Sequence, residues 1–143
     1  MIKILDNFVP LNIQNKYIEL LNSEEIAWFF MKDLVVKKNN ISFKNEDITD
    51  ILNFFCVKEK IKIKDMIRVR IRRTFQTKDH SKEKYNVPHI DVKEHLPYKT
   101  LLYYVDDSDG DSVFFKNTIS DNILLDTNAV IDKKISPKKG RAI

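Results

Sequence analysis

The chain has 143 residues, enough for one domain that buries roughly two-thirds of its unfolded surface and stands without staples. Its single cysteine, Cys56, excludes an internal disulfide framework and fits a reducing compartment, and no stretch approaches the ~20 apolar residues of a membrane helix or the build of a signal peptide. The net charge of +4, from 25 basic and 21 acidic residues, is a small surplus in a chain that is 32% charged, and does not by itself indicate nucleic acid. A soluble, cytoplasmic protein is expected, with Cys56 serving as a small buried hydrophobe.

In chain order, Ile2 to Phe8 reads as a short strand with alternating apolar positions, and Pro10 suits the first turn of a helix. Ile13, Tyr17, Leu20 and Leu21 share one face of that helix, which Asn22-Ser23 breaks. The cluster Trp28-Phe29-Phe30 reads as core, in a second strand or a packed connector, and a polar loop runs from Lys37 to Asn45. From Ile48 the apolar residues Ile51, Leu52 and Phe55 recur at helical spacing, with Asn45 or Asp47 near the start of a second helix. Between Lys62 and Phe75 the period becomes two: Ile63, Ile67, Val69, Ile71 and Phe75 are apolar, and Arg68, Arg70 and Arg72 take the alternate face of a strand.

A lysine-rich loop over 76–87 ends at Pro88, which biases Val87 to an extended conformation. After a second loop to Pro97, Tyr98 to Val105 is the most β-prone stretch of the chain. Asp106 to Gly110 carries a hairpin-turn signal and Ser112 to Phe115 reads as the returning strand. Short strands around 123–125 and 130–135 lead to a turn at Pro137-Lys138-Lys139-Gly140. With only 2 glycines in the chain, Gly110 and Gly140 are expected where the backbone demands them.

Helices first and antiparallel strands after predict a single domain over 1–143, mainly β, with the N-terminal helices packed on one sheet. The chain stops just as Arg141-Ala142-Ile143 begins an apolar segment after a turn, so a domain lacking its last strands is expected.

The chemistry concentrates at His89 and Asp91 in the run Asn86-Val87-Pro88-His89-Ile90-Asp91. Residues two apart on an extended segment project to one side, so an imidazole nitrogen and a carboxylate oxygen there can reach one metal ion at about 2.0–2.2 Å. They are two-thirds of a 2-His-1-carboxylate iron site. No histidine follows His95 to complete it. His80 and His95 read as solvated loop residues. The basic concentration of Arg68, Arg70, Arg72 and Arg73, preceded by Lys58, Lys60, Lys62 and Lys64, reads as a solvated strand face. The competing reading is a non-catalytic β-sandwich module whose Arg68–Arg73 stripe binds nucleic acid or another polyanion. That stripe lacks the interleaved aromatic residues used for base stacking.

The order of the His-x-Asp segment, Thr100-Leu101-Leu102-Tyr103-Tyr104-Val105, the acidic Asp109-Gly110 turn with Ser112-Val113-Phe114-Phe115, and Pro137-Lys138-Lys139-Gly140-Arg141 resembles the iron(II)- and 2-oxoglutarate-dependent dioxygenases of the prolyl 4-hydroxylase-like group. The likeness is to small phage and marine bacterial members. It spans about residues 66–143 and, more weakly, Asp6 to Pro10 and Trp28 to Phe30.

The resemblance implies a double-stranded β-helix, a cupin-like jelly-roll incomplete at its C-terminal end, in which His89 and Asp91 bind Fe(II). It implies that Tyr104 hydrogen-bonds the 2-oxoglutarate carboxylate, with Thr100 and Leu102 on the same pocket-facing side of the strand. Phe75 falls where several relatives carry a cosubstrate-binding tyrosine and, lacking the hydroxyl, offers only an apolar wall. The distal histidine and the Arg or Lys that pairs with the far carboxylate are expected beyond Ile143, so the polypeptide ending there is expected to be inactive. The implied activity is hydroxylation of a substrate, prolyl side chains of a peptide being one candidate, with decarboxylation of 2-oxoglutarate to succinate and ascorbate as an auxiliary reductant. The expected compartment is the cytoplasm, that of the host if the source is viral. Partners are the small-molecule cosubstrate and a protein or small-molecule substrate, with no membrane.

Overall fold

The computed structural model describes residues 2–24, 49–64, 98–116 and 130–143. The chain divides into two compact units, one formed by residues 1–6 with 75–143 and the other by 7–74.

In the second unit, α1 spans Leu11–Asn22 and α2 spans Thr49–Glu59, as the apolar spacing predicts. Pro10 is the residue before the first helical turn rather than within it. Its extended ψ of 153° sets the entry, and its carbonyl accepts from the N–H groups of Ile13 and Gln14 at 3.0 Å each. No side chain caps this end. Instead Gln14, buried within α1, turns its amide back to donate to the Val9 carbonyl at 2.8 Å, which satisfies two polar groups that burial would otherwise penalise. Tyr17 is buried as expected, along with Phe8 and Val9 just before the helix. The helix ends at Ser23, whose N–H and hydroxyl both donate to Leu20 O.

α2 buries Ile51 and ends in a paired turn. The Ile61 N–H donates to Cys56 O at 3.1 Å and the Lys60 N–H to Val57 O at 3.3 Å, with Lys60 in the left-handed region at φ 52°. This is the Schellman closure, with lysine where glycine is usual. Cys56 is partly exposed rather than buried. Lys58 stands 4.9 Å over the Phe8 ring, and Lys16 of α1 pairs with Asp50 of α2 at 2.6 Å. The latter is an exposed ion pair worth about 0.2–1 kcal/mol.

In the first unit, β1 spans Ser112–Phe115 and β2 spans Ile131–Ile135. They pair antiparallel, Ser112 opposite Ile135, with a one-residue irregularity that passes over Asp132 between the Phe114–Lys133 and Phe115–Ile131 pairs. The turn signal at Asp106–Gly110 predicts that β1 returns along Thr100 to Val105, and here the structure differs. Residues 102–104 pair with 141–143 instead: Leu102 and Ile143 exchange N–H···O bonds at 3.1 and 2.9 Å, and the Tyr104 N–H donates to Arg141 O at 2.9 Å.

The two pairings belong to one antiparallel ribbon. Eight residues lie between Tyr103 and Ser112 on one arm, and six between Ile135 and Ala142 on the other. In the gap between them, Asp107 Oδ1 accepts the Lys139 N–H and Asp111 Oδ1 accepts the Ser136 hydroxyl, both at 2.7 Å. At the far end the Lys116 N–H closes on Val130 O at 2.9 Å. The acidic segment is thus spent across the ribbon rather than on a tight hairpin, because its carboxylates take partners from 136–139.

The turn over 138–141 opposes the acidic segment. The Arg141 N–H donates to Lys138 O at 2.9 Å, and Gly140 has φ 73°, the third-position geometry that favours glycine. Gly110 has no positive φ, and a Cβ there would meet only Ser108 Oγ at 3.9 Å, so its backbone does not require glycine. Residues 2–6 form one isolated bridge rather than a full strand: Leu5 and Ala142 exchange N–H···O bonds at 2.9 Å each way. Ala142, 1% exposed, is therefore central, flanked by Leu5 on one side and Tyr103 on the other.

Candidate functional site

Of the residues singled out in the sequence, His89, Asp91, His80, His95, Phe75 and the Arg68–Arg73 stripe lie outside the described residues. Thr100, Leu102 and Tyr104 lie within them. Thr100 is exposed and outside any strand, and Leu102 is paired through its backbone with Ile143 while its side chain is exposed. Tyr104 is held on both sides, its N–H donating to Arg141 O and its carbonyl accepting the Gly140 N–H at 3.0 Å. That clamp leaves the phenol as the adjustable group.

The Tyr104 hydroxyl donates to Ser112 Oγ, 2.6 Å away at the first position of β1. Burial pushes the phenol above its ordinary value. The Ser112 hydrogen bond and the nearby Arg141 charge work against that rise, and Asp111 adds slightly to it. The hydroxyl therefore stays protonated at neutral pH and acts as a donor, not as a base or nucleophile.

Around this phenol the ribbon's middle gathers polar groups. Arg141 Nε and Nη2 form a fork on Asp6 Oδ1 and Oδ2 at 2.6 and 3.0 Å, and its Nη1 donates to Ser136 O at 2.9 Å. The Arg141 hydrogen bond, with the charges of Arg141 and Lys138, holds the Asp6 carboxyl below its ordinary value against a smaller opposing effect of burial. The same bond raises Arg141. The guanidinium is thus committed to an internal carboxylate.

Ser112, Ser136 and the Asp6–Arg141 fork were not marked by the sequence. Asp6 and Arg141 are 135 positions apart, and no local pattern joins them. Ser112 opens β1 on the same arm as Tyr104, eight positions later, and nothing local marks it as the partner of the phenol. Among the described residues no group of three or more His, Cys, Asp or Glu side chains could hold a metal ion. None of their helices is long and apolar enough to cross a membrane. What the arrangement offers chemically is a clamped, protonated phenol with an exchangeable hydroxyl partner, beside a neutralised ion pair. No protein-family model, curated protein or solved structure matches the chain.

Proposed function

We propose that this chain belongs to the iron(II)- and 2-oxoglutarate-dependent oxygenases of the prolyl 4-hydroxylase-like group and carries the proximal part of their site, with His89 and Asp91 as iron ligands and Tyr104 as a donor to the cosubstrate carboxylate. The observation that carries the reading is a pair of antiparallel backbone pairings, 102–104 with 141–143 and 112–116 with 130–135, joined across an acidic segment by side-chain hydrogen bonds. A jelly-roll is built by winding such a doubled ribbon so that successive stretches of each arm enter alternate sheets. An ordinary meander would instead pair 102–104 with 112–115.

Tyr104 supports the same reading through its chemistry. Its phenol is protonated and aimed by a backbone held at both its N–H and its C=O, and its acceptor is a neutral hydroxyl. A carboxylate is the better acceptor, since charge-assisted hydrogen bonds are roughly twice as strong as neutral ones. Arg141, engaged by Asp6, is not the cation for the far carboxylate. Bound iron(II) supplies the redox chemistry that couples decarboxylation of 2-oxoglutarate to hydroxylation of the substrate.

Mn(II) titration followed by electron paramagnetic resonance, with and without 2-oxoglutarate, tests this. Metal affinity is expected to fall at least about ten-fold in His89→Ala and Asp91→Ala. Tyr104→Phe should leave metal binding intact and weaken 2-oxoglutarate binding by about 10–100-fold, the worth of a hydrogen bond to a charged group. Identical Mn(II) binding by the wild type and His89→Ala would sink the proposal.

A further inference from the structure

Residues 2–6 are attached to one unit and lead into the other. Leu5 exchanges two backbone hydrogen bonds with Ala142, and Asp6 is gripped by Arg141, so the segment belongs with 75–143. At Asn7 the chain passes into the second unit, and Asn7 itself has φ 47°, in the left-handed region. None of residues 2–6 is buried, and Ile4 is 44% exposed, whereas the receiving Ala142 is 1% exposed.

The receiving strand sets the specification for whatever lies along it. Arg141 O and Ile143 turn their hydrogen bonds to 102–104, and the N–H and C=O of Ala142 turn the other way. Without residues 2–6 those two groups would form an open sheet edge, a template for another strand. The occupant must be extended, must offer a donor and an acceptor on one residue, and must carry a carboxylate on the next residue to meet the Arg141 fork. Residues 2–6 of a second copy meet all three conditions by identity.

We propose that residues 2–6 exchange between two copies of this chain, giving a dimer in which Leu5 and Asp6 of each copy pair with Ala142 and Arg141 of the other. The exchange makes the same hydrogen bonds and ion pairs as the closed monomer, and it is reciprocal, as two-fold symmetry requires. Asn7 is the hinge whose backbone angles change. Closure within one chain competes at an effective concentration on the order of millimolar, so the dimer fraction rises as the protein concentration approaches that range.

The test uses two charge-reversed chains, Asp6→Arg and Arg141→Asp, one isotope-labelled, checked for folding by circular dichroism and mixed before native mass spectrometry. Each alone sets like charges against each other, in the monomer and in its own dimer. In the mixed dimer the two substituted side chains meet at one junction as an ion pair of reversed sign, and the other junction keeps the natural Asp6–Arg141 pair. A mixed dimer at least ten-fold more abundant than either self-dimer is expected. In parallel, Leu5→Pro added to both charge-reversed chains, whose own closed form is already disfavoured by like charges, removes the N–H donated to Ala142 and should deplete the mixed dimer at least ten-fold, while light scattering on the wild type should show a concentration-dependent dimer. A wild type that stays monomeric at every concentration with no mixed dimer overturns the proposal. So does a mixed dimer of the charge-reversed chains that Leu5→Pro in both leaves unchanged.

Discussion

The two glycines make a matched pair, because they sit in opposing loops of one ribbon and differ in backbone geometry. Gly140 has φ 73° within the 138–141 turn, while Gly110 has no positive φ and has space for a methyl group. Holding an L-residue in the left-handed region costs about 1–2 kcal/mol, so Gly140→Ala should destabilise by that amount. For Gly110→Ala the native angles are compatible with alanine, and the smaller entropy of the unfolded chain should stabilise by about 0.4–1 kcal/mol. A chain of 143 residues has an unfolding entropy of roughly 0.3 kcal/mol/K near its midpoint, so each kcal/mol moves Tm by about 3 °C. Differential scanning calorimetry should therefore show Gly140→Ala melting about 3–7 °C lower than the wild type and Gly110→Ala about 1–3 °C higher. If Gly110→Ala proves the more damaging, or Gly140→Ala shifts Tm by less than about 1 °C, the assignment of the turn is wrong.

Lys60→Gly should stabilise by about 0.5–1 kcal/mol in urea unfolding, because it relieves the left-handed strain at the end of α2 and returns part of that gain as chain entropy. A lower urea midpoint would contradict the Schellman reading. Gln14→Leu should cost about 1–3 kcal/mol, since it leaves the Val9 carbonyl without its buried donor, and an unchanged midpoint would count against that bond. The Asp6 carboxyl ionises at lower pH in the folded chain than in the unfolded one, so its contribution is fully present above the unfolded value of 3.8 and disappears as pH falls through the folded value. Asp6→Asn should therefore lower Tm at pH 7 and flatten its acid dependence below that value, and parallel acid profiles for the two proteins would refute the linkage.

The helices were legible because their determinants are local. Pro10 sets an entry, Asn22-Ser23 an exit, and Ile51 with Leu52 and Phe55 marks a face within four residues. The turn at Gly140 was legible for the same reason. Strand partners were not, because turn-forming residues report only that a chain can reverse, and the acidic segment after Val105 found its partners at Ser136 and Lys139 instead. Gln14 shows a second blind spot. A polar residue on the buried side of a helix looks like an error in the apolar pattern until its acceptor, Val9 O, is known. At the candidate site, the sequence singled out Tyr104 by its β-prone stretch and by the resemblance, whereas Ser112 and the Asp6–Arg141 fork carry no sequence signal because they depend on contacts made by remote parts of the chain.

The alternation of hydrogen bonds along 141–143 makes neighbouring amides independent clocks. The Ala142 amide is protected from solvent hydrogen exchange by Leu5, and the next amide, Ile143, by Leu102. Detachment of residues 2–6 would speed exchange at Ala142 and leave Ile143 slow, whereas opening of the ribbon would release Ile143. A single deuterium-exchange experiment resolved at those two positions thus separates two local unfolding equilibria within one short strand.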